Sequence, residues 1–229
     1  MHGPDPSASP VNPLPKAVIL LAGLIGGIEL LFSGAEAGLF GGAGAIGWRM
    51  GAIERWGLPP GLVEWMWESG RAPWPELARF LGFPLIHYSF THAVFALVFV
   101  LALGKMVGEV FRPWAVLAVF WGSSAAGGIV FSLLPGAGLI LAGGFPGAYG
   151  LIGAFTWLLW MNLGAAGASR WRAFTLIAML MGVQLLFGAL FGTSPDWPAD
   201  LAGFATGFAL SFPVSPGGPT RLVARLRQR

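Results

Sequence analysis

The chain contains no cysteine among its 229 residues. That absence excludes disulfides, thiolate metal sites and a cysteine nucleophile. Charge is scarce as well. Only 10% of the residues are charged, against about 25% in an ordinary soluble domain. Two tyrosines and three histidines complete the short list of titratable side chains. With no thiol and with His2 alone in the N-terminal segment, His87 and His92 make too poor a donor set for a metal. No cofactor is expected either. What the chain does have is apolar mass: 55% hydrophobic residues, mean hydropathy +0.72, 36 glycines and 11 tryptophans. Abundant Gly and interfacial Trp are typical of membrane helices.

The formal charge of +3 and the pI near 10 point to anionic lipid and not to nucleic acid. The basic residues gather at the ends of apolar runs, most clearly in "RLVARLRQR" at residues 221–229. This suits a cytoplasmic membrane face, and no aromatic–basic groove for a nucleic acid is visible. Residues 1–16, "MHGPDPSASPVNPLPK", read as a flexible polar tail and not as a cleavable signal peptide. A first apolar run follows at about 17–40 and carries Glu29 and Glu36. These carboxylates are costly in lipid. They either line a proton or ion path or, more simply, point into the bundle or sit near its outer edge.

Residues 41–84 mix charge with Trp48, Trp56, Trp65, Trp67 and Trp74, the composition of short amphipathic helices lying in an interface. Five more apolar runs come at about 85–110, 114–134, 146–166, 172–192 and 198–214, each near the ~20 residues that cross a bilayer. Lys16, Lys105, Arg112, Arg170, Arg172 and the C-terminal arginines fall on one side if both termini are cytoplasmic. The short loops at about 135–145 and 193–197 carry no Lys or Arg, as outer loops should. The sequence thus predicts an all-α membrane protein. Six transmembrane helices form a domain over 17–214, with a tail at 1–16 and a basic tail at 215–229. The charge asymmetry and the lack of Cys suit a bacterial inner membrane.

Three stretches carry the chemistry: "HYSFTHAVFA" at 87–96, "GAYG" at 147–150 and "ADLAGFATGFALSF" at 199–212. Together they resemble the signature segments of the rhomboid family of intramembrane serine proteases, over about residues 17–214. The resemblance implies a six-helix fold with a long first loop. It also implies a Ser in G-x-S-G at the start of the fourth span, a His in the sixth span as its base, and a His and an Asn in the second span binding the oxyanion. This is a two-residue form of nucleophile–base catalysis. In this chain the nucleophile position holds Tyr149, the base position Asp200 and the Asn position Ala96. His87 and His92 are retained, as is the glycine frame of Gly147, Gly150, Gly203 and Gly207. The first-loop Trp–Arg pair of the family survives as Ala78–Arg79, and a family glutamate matches Glu109 with a one-residue shift.

A phenol with pKa ~10 on a bulky arm is a poor nucleophile, and a carboxylate is a poor base for an alcohol. Losing a single oxyanion donor costs about 10²–10³ in rate in soluble proteases. Ser123, Ser124, Ser132 and Ser211 are not in a G-x-S-G setting. The resemblance therefore implies a catalytically dead member that binds, escorts or regulates a transmembrane client, or serves as a subunit of a larger membrane complex. The alternatives are a serine endopeptidase with a displaced nucleophile, or a channel or transporter. Tyr149 is expected to fill the catalytic space and to hydrogen-bond to His92 or Asp200. Gln184 reads as a packing hydrogen bond. "GFATG" at 203–207 reads as a small-residue face packing on the fourth span, with a dimer face as the alternative.

Overall fold

The computed structural model describes residues 13–134, 139–191 and 196–216, with the side chains of residues 187 and 191 left aside. Most of the two expected tails lies outside the described residues, as do parts of the outer loops at 135–145 and 193–197. Among the described residues the fold is all helical: α1 (Lys16–Glu36), α2 (Trp48–Trp56), α3 (Leu62–Ser69), α4 (Trp74–Gly82), α5 (Phe90–Gly108), α6 (Pro113–Ser132), α7 (Phe145–Ala165), α8 (Thr175–Phe191) and α9 (Trp197–Val214). The only β pairing among these residues is an isolated antiparallel bridge between Leu58 and Leu141.

Among the described residues, four stretches are long and apolar enough to cross a membrane: α1, α5, α6 and the Arg170–Leu190 stretch that contains α8. The other two long helices, α7 and α9, hold 21 and 18 residues and are rich in Gly and Ala. They form the centre of the bundle. α7 packs on α6 and α9 on one side and on α5 on the other, and α1 lies against α5.

Local chemistry sets the boundaries. α1 stops at Glu36, short of the predicted 40, because Gly38 adopts φ +73° and the N–H of Leu39 turns back to the carbonyl of Gly34. Left-handed glycine just past a helix is a strong stop. α5 starts at Phe90, later than the predicted 85. Ser89 is extended and its hydroxyl accepts the N–H of His92 as an N-cap. The residues before it are thereby freed from the helix, and His87 projects from irregular chain. α6, α7 and α9 each carry proline in the first turn, where its missing N–H costs nothing.

The segment between α1 and α5 forms short helices, as its Trp and charge pattern predicts. Arg79 ties them together. Its Nε donates to Glu76 at 2.6 Å and its Nη1 donates to the carbonyls of Glu54 and Gly57, both at 2.8 Å. Arg79 is thus a packing residue of the first loop. The Ser132 hydroxyl accepts the N–H of Val63 at 2.8 Å, which joins this layer to α6.

Glu29 and Glu36 converge on one cation from the same layer. Arg49 is buried and bridges both carboxylates. Its Nη1 and Nη2 donate to Glu29 at 2.8 Å each, and its Nε donates to Glu36 at 2.7 Å. Ser33 donates to Glu29 at 2.7 Å. Carboxylates that are expensive alone in a membrane span thereby share one guanidinium, with Glu36 left partly open to solvent. Of the two locations weighed from sequence, Glu29 takes the interior and Glu36, with 41% of its side chain exposed, takes the edge.

The α7–α9 contact is backbone to backbone. A Cβ on Gly203 would strike the carbonyl of Pro146, and one on Gly207 would strike the carbonyl of Gly150. "GFATG" therefore packs inside the monomer. Replacing Gly207 by Val is expected to destabilise the protein by about 1–3 kcal/mol or more through overpacking. Gly23→Ala, with nothing near its added methyl group, should be neutral. Thermal unfolding in detergent separates the two.

Candidate functional site

The functional candidates meet where the N-terminal ends of α5, α7 and α9 approach the middle of α8. His87 is 1% exposed, and its Nε2 accepts the N–H of Gly144 at 3.1 Å. The proton of the neutral ring therefore sits on Nδ1, which has no partner among the described residues. His87 is thus hydrogen-bonded at one nitrogen only. The carbonyl of His87 accepts from Arg49 at 3.0 Å, which ties this segment to the α1 carboxylates. His92 stacks on Phe145 with centroids 4.8 Å apart and meets His87 edge-on at 5.4 Å. Gly143, at φ +117°, lets the chain pass here, since a Cβ would lie 2.9 Å from the His92 ring. Ala96, one turn beyond His92, is fully buried and has no polar atom to offer the site.

Tyr149 is 5% exposed and its ring packs near Phe99. Its hydroxyl reaches neither His92 nor Asp200, contrary to expectation. It donates to Gln184 Oε1 at 3.0 Å, and Gln184 Nε2 in turn donates to Asp200 Oδ2 at 2.9 Å. Gln184 is the residue that sequence reasoning undervalued. A lone amide in an apolar run was the available signal, but its partners lie 35 and 16 residues away along the chain.

A cavity of about 200 Å³ opens beside this chain of hydrogen bonds, lined by His92, Gln184, Asp196, Asp200, Phe145 and Leu141 among others. A second cavity of about 280 Å³, sharing His92, Leu141 and Asp196, extends past Tyr88 and Ser89. Tyr149 is not a wall residue of either. It fills the floor of the helix junction and leaves the cleft above it open.

The serines weighed as alternative nucleophiles are placed elsewhere. Ser123 and Ser124 occupy the space against Gly150 and Gly147, on the α6 side of α7. Ser124 donates to the carbonyl of Phe120 at 2.9 Å, and Ser211 donates to that of Gly207 at 2.7 Å. Gly147 and Gly150 are thus seats for α6 hydroxyls and for α9, which makes them packing residues. Glu109 lies exposed just past the end of α5 and joins no part of the site. Among the described residues, no group of three His, Cys, Asp or Glu is placed to hold a metal.

Burial pushes the His87 imidazole down to about 3, and the neighbouring His92 adds to the effect. An unfolded imidazole takes its proton near 6.5, so between those values the unfolded chain binds more protons than the folded one. Stability should therefore fall as pH drops below about 6.5, by about 1.4 kcal/mol per pH unit from this group. His87→Gln, which keeps an acceptor for Gly144, should flatten that slope in pH-dependent thermal unfolding.

The arrangement has known counterparts at the level of a family. The Rhomboid domain model matches residues 75–217, which takes in α4 through α9 and every residue of the cleft. No curated protein matches the chain. With the family match covering well over half of its length, and with a multi-pass helical bundle around paired motif segments, the chain belongs to the rhomboid family.

Proposed function

We propose that this rhomboid-family protein is a pseudoprotease that engages transmembrane clients without cutting them. The observation that carries this reading is the occupant of the nucleophile's place. Tyr149 stands there, buried, with its hydroxyl committed to Gln184. The base position offers Asp200, whose carboxylate takes the other end of the same amide. A tyrosyl hydroxyl held this way has no imidazole to remove its proton, so the covalent route lacks both of its members. The cleft itself persists, with His92 in its wall, and supports binding without turnover. On this reading the protein crosses a bacterial inner membrane six times, as α1 and α5–α9, with both termini cytoplasmic. It escorts or regulates a membrane protein, or serves as a subunit of a larger complex.

One observation favours the proteolytic alternative. Ser89 lines the same cavity as His92. Its hydroxyl oxygen, however, accepts the backbone N–H of His92 at 3.2 Å, so its role is to start α5. A serine-reactive fluorophosphonate probe decides between the readings. The wild-type protein in liposomes should show no labelling above that of Ser89→Ala, and no cleavage of a model transmembrane substrate. The double variant Tyr149→Ser/Asp200→His should gain labelling. Labelling or cleavage by the wild type that Ser89→Ala abolishes would overturn the proposal.

A further inference from the structure

The cleft has an unbalanced charge. Asp196 and Asp200 sit one turn apart on the first turn of α9, and both line the cavity of about 200 Å³. Asp196 occupies the N-cap position of α9 yet its carboxylate makes no capping hydrogen bond. Its Oδ1 is buried without a partner among the described residues. Asp200 is 4% exposed, and among the described residues Gln184 is the one hydrogen-bond partner of its carboxylate.

Among the described residues no Lys or Arg is placed beside them, and His92 is the basic side chain that shares their cavity. Residues 113–169 and 173–220 contain no Lys or Arg at all, so neither outer loop can supply one. Arg170 lies far along the bundle against Gly164 and Trp160, at the other end of α7. Arg49 is taken up by Glu29, Glu36 and the carbonyl of His87. A buried carboxylate beside a half-buried one, with no Lys or Arg placed near them among the described residues, is expensive unless a ligand supplies the charge. The remaining walls are apolar and aromatic: Leu141, Phe145 and Pro146. Carboxylates beside apolar wall residues in a cavity of this size suit a cation carried on an aliphatic stem.

We infer that the Asp196–Asp200 cavity is a binding site for an alkylammonium or guanidinium group, presented by a Lys or Arg near the outer end of a client's transmembrane segment. This rests on the client-binding reading above and names the feature the client must carry. The cationic head pairs with Asp196 and Asp200, and the stem lies along Leu141 and Phe145. Gln184 holds Asp200 from the far side and so keeps one carboxylate oxygen free for the ligand. His92 lies in the same wall.

The test uses the full chain in lipid nanodiscs with four probes. These are n-butylammonium, n-pentanol, a single-span Leu/Ala peptide with one Lys near its outer end, and the same peptide with norleucine there. Calorimetry and thermal shift read the binding. Butylammonium should bind and raise the unfolding temperature, and pentanol should not. The Lys peptide should bind at least tenfold more tightly than the norleucine peptide. Asp196→Asn/Asp200→Asn should remove that advantage. Asp196→Asn alone, at a half-buried helix start, should reduce it in a protein whose fold is unchanged. Equal binding of butylammonium and pentanol, or an advantage that survives both variants, would overturn the inference. Two outcomes separate it from the reading beneath it. Tight binding of both peptides alike would sink the cation site and leave client binding intact. Butylammonium binding with no peptide binding would keep the carboxylate site and remove the client.

Discussion

The structure depends on one constraint, the approach of α7 and α9 to backbone contact. In a membrane there is no hydrophobic drive to press helices together, so close packing itself must supply the attraction. Gly203 and Gly207 present no side chain, and the carbonyls of Pro146 and Gly150 occupy the space a Cβ would take. α6 in turn inserts Ser123 and Ser124 against Gly150 and Gly147. α7 is gripped along its first two turns by both neighbours. Whatever stands at positions 149 and 200 is therefore brought to the same junction, whether or not it can do chemistry.

That frame holds the motif segments together whatever side chains they carry. A Ser and a His could meet directly at such a junction. Tyr149 and Asp200 do not meet, and Gln184 of α8 spans them with both ends of its amide. This link reaches a helix that is otherwise poorly buried. Only 12% of the residues in the most apolar window of Arg170–Leu190 are buried, against 56% in α6. The Tyr149–Gln184–Asp200 chain is accordingly a fastening for α8. A second network, Glu29–Arg49–His87, runs from α1 through the first loop to the segment before α5. His87 carries this network on to Gly144, while Gln184 and Asp200 of the first network line the cleft with His92.

Much of this is legible in the sequence, because the signals are local. Apolar runs, prolines at helix starts and the spaced glycines fix the helices and the α7–α9 pairing. Residues 87–96, 147–150 and 199–212 identify the family. The harder features depend on partners distant in sequence. Arg49 lies 20 residues from Glu29, in a loop with other arginines and no mark to single it out. Gln184 is one amide in an apolar run, and its role appears only once three helices are placed. Tyr149 was expected in the cleft, but the glycine-tight junction directs its ring into the floor. The start of α5 was misplaced because "LIHYS" is apolar enough to extend a helix, whereas Ser89 caps the next one and leaves His87 outside it.

The most direct test of the central claim, that the cleft engages membrane proteins and leaves them whole, is an intact-mass measurement. A photo-crosslinking amino acid at Leu139, exposed on the cavity rim, would be activated in native membranes and the adduct analysed by mass spectrometry. Adducts to full-length transmembrane proteins, joined through their outer ends, are the predicted result. Adducts to cleaved fragments would show that the chain is a protease, and crosslinking to lipid alone would show that the cleft holds no client.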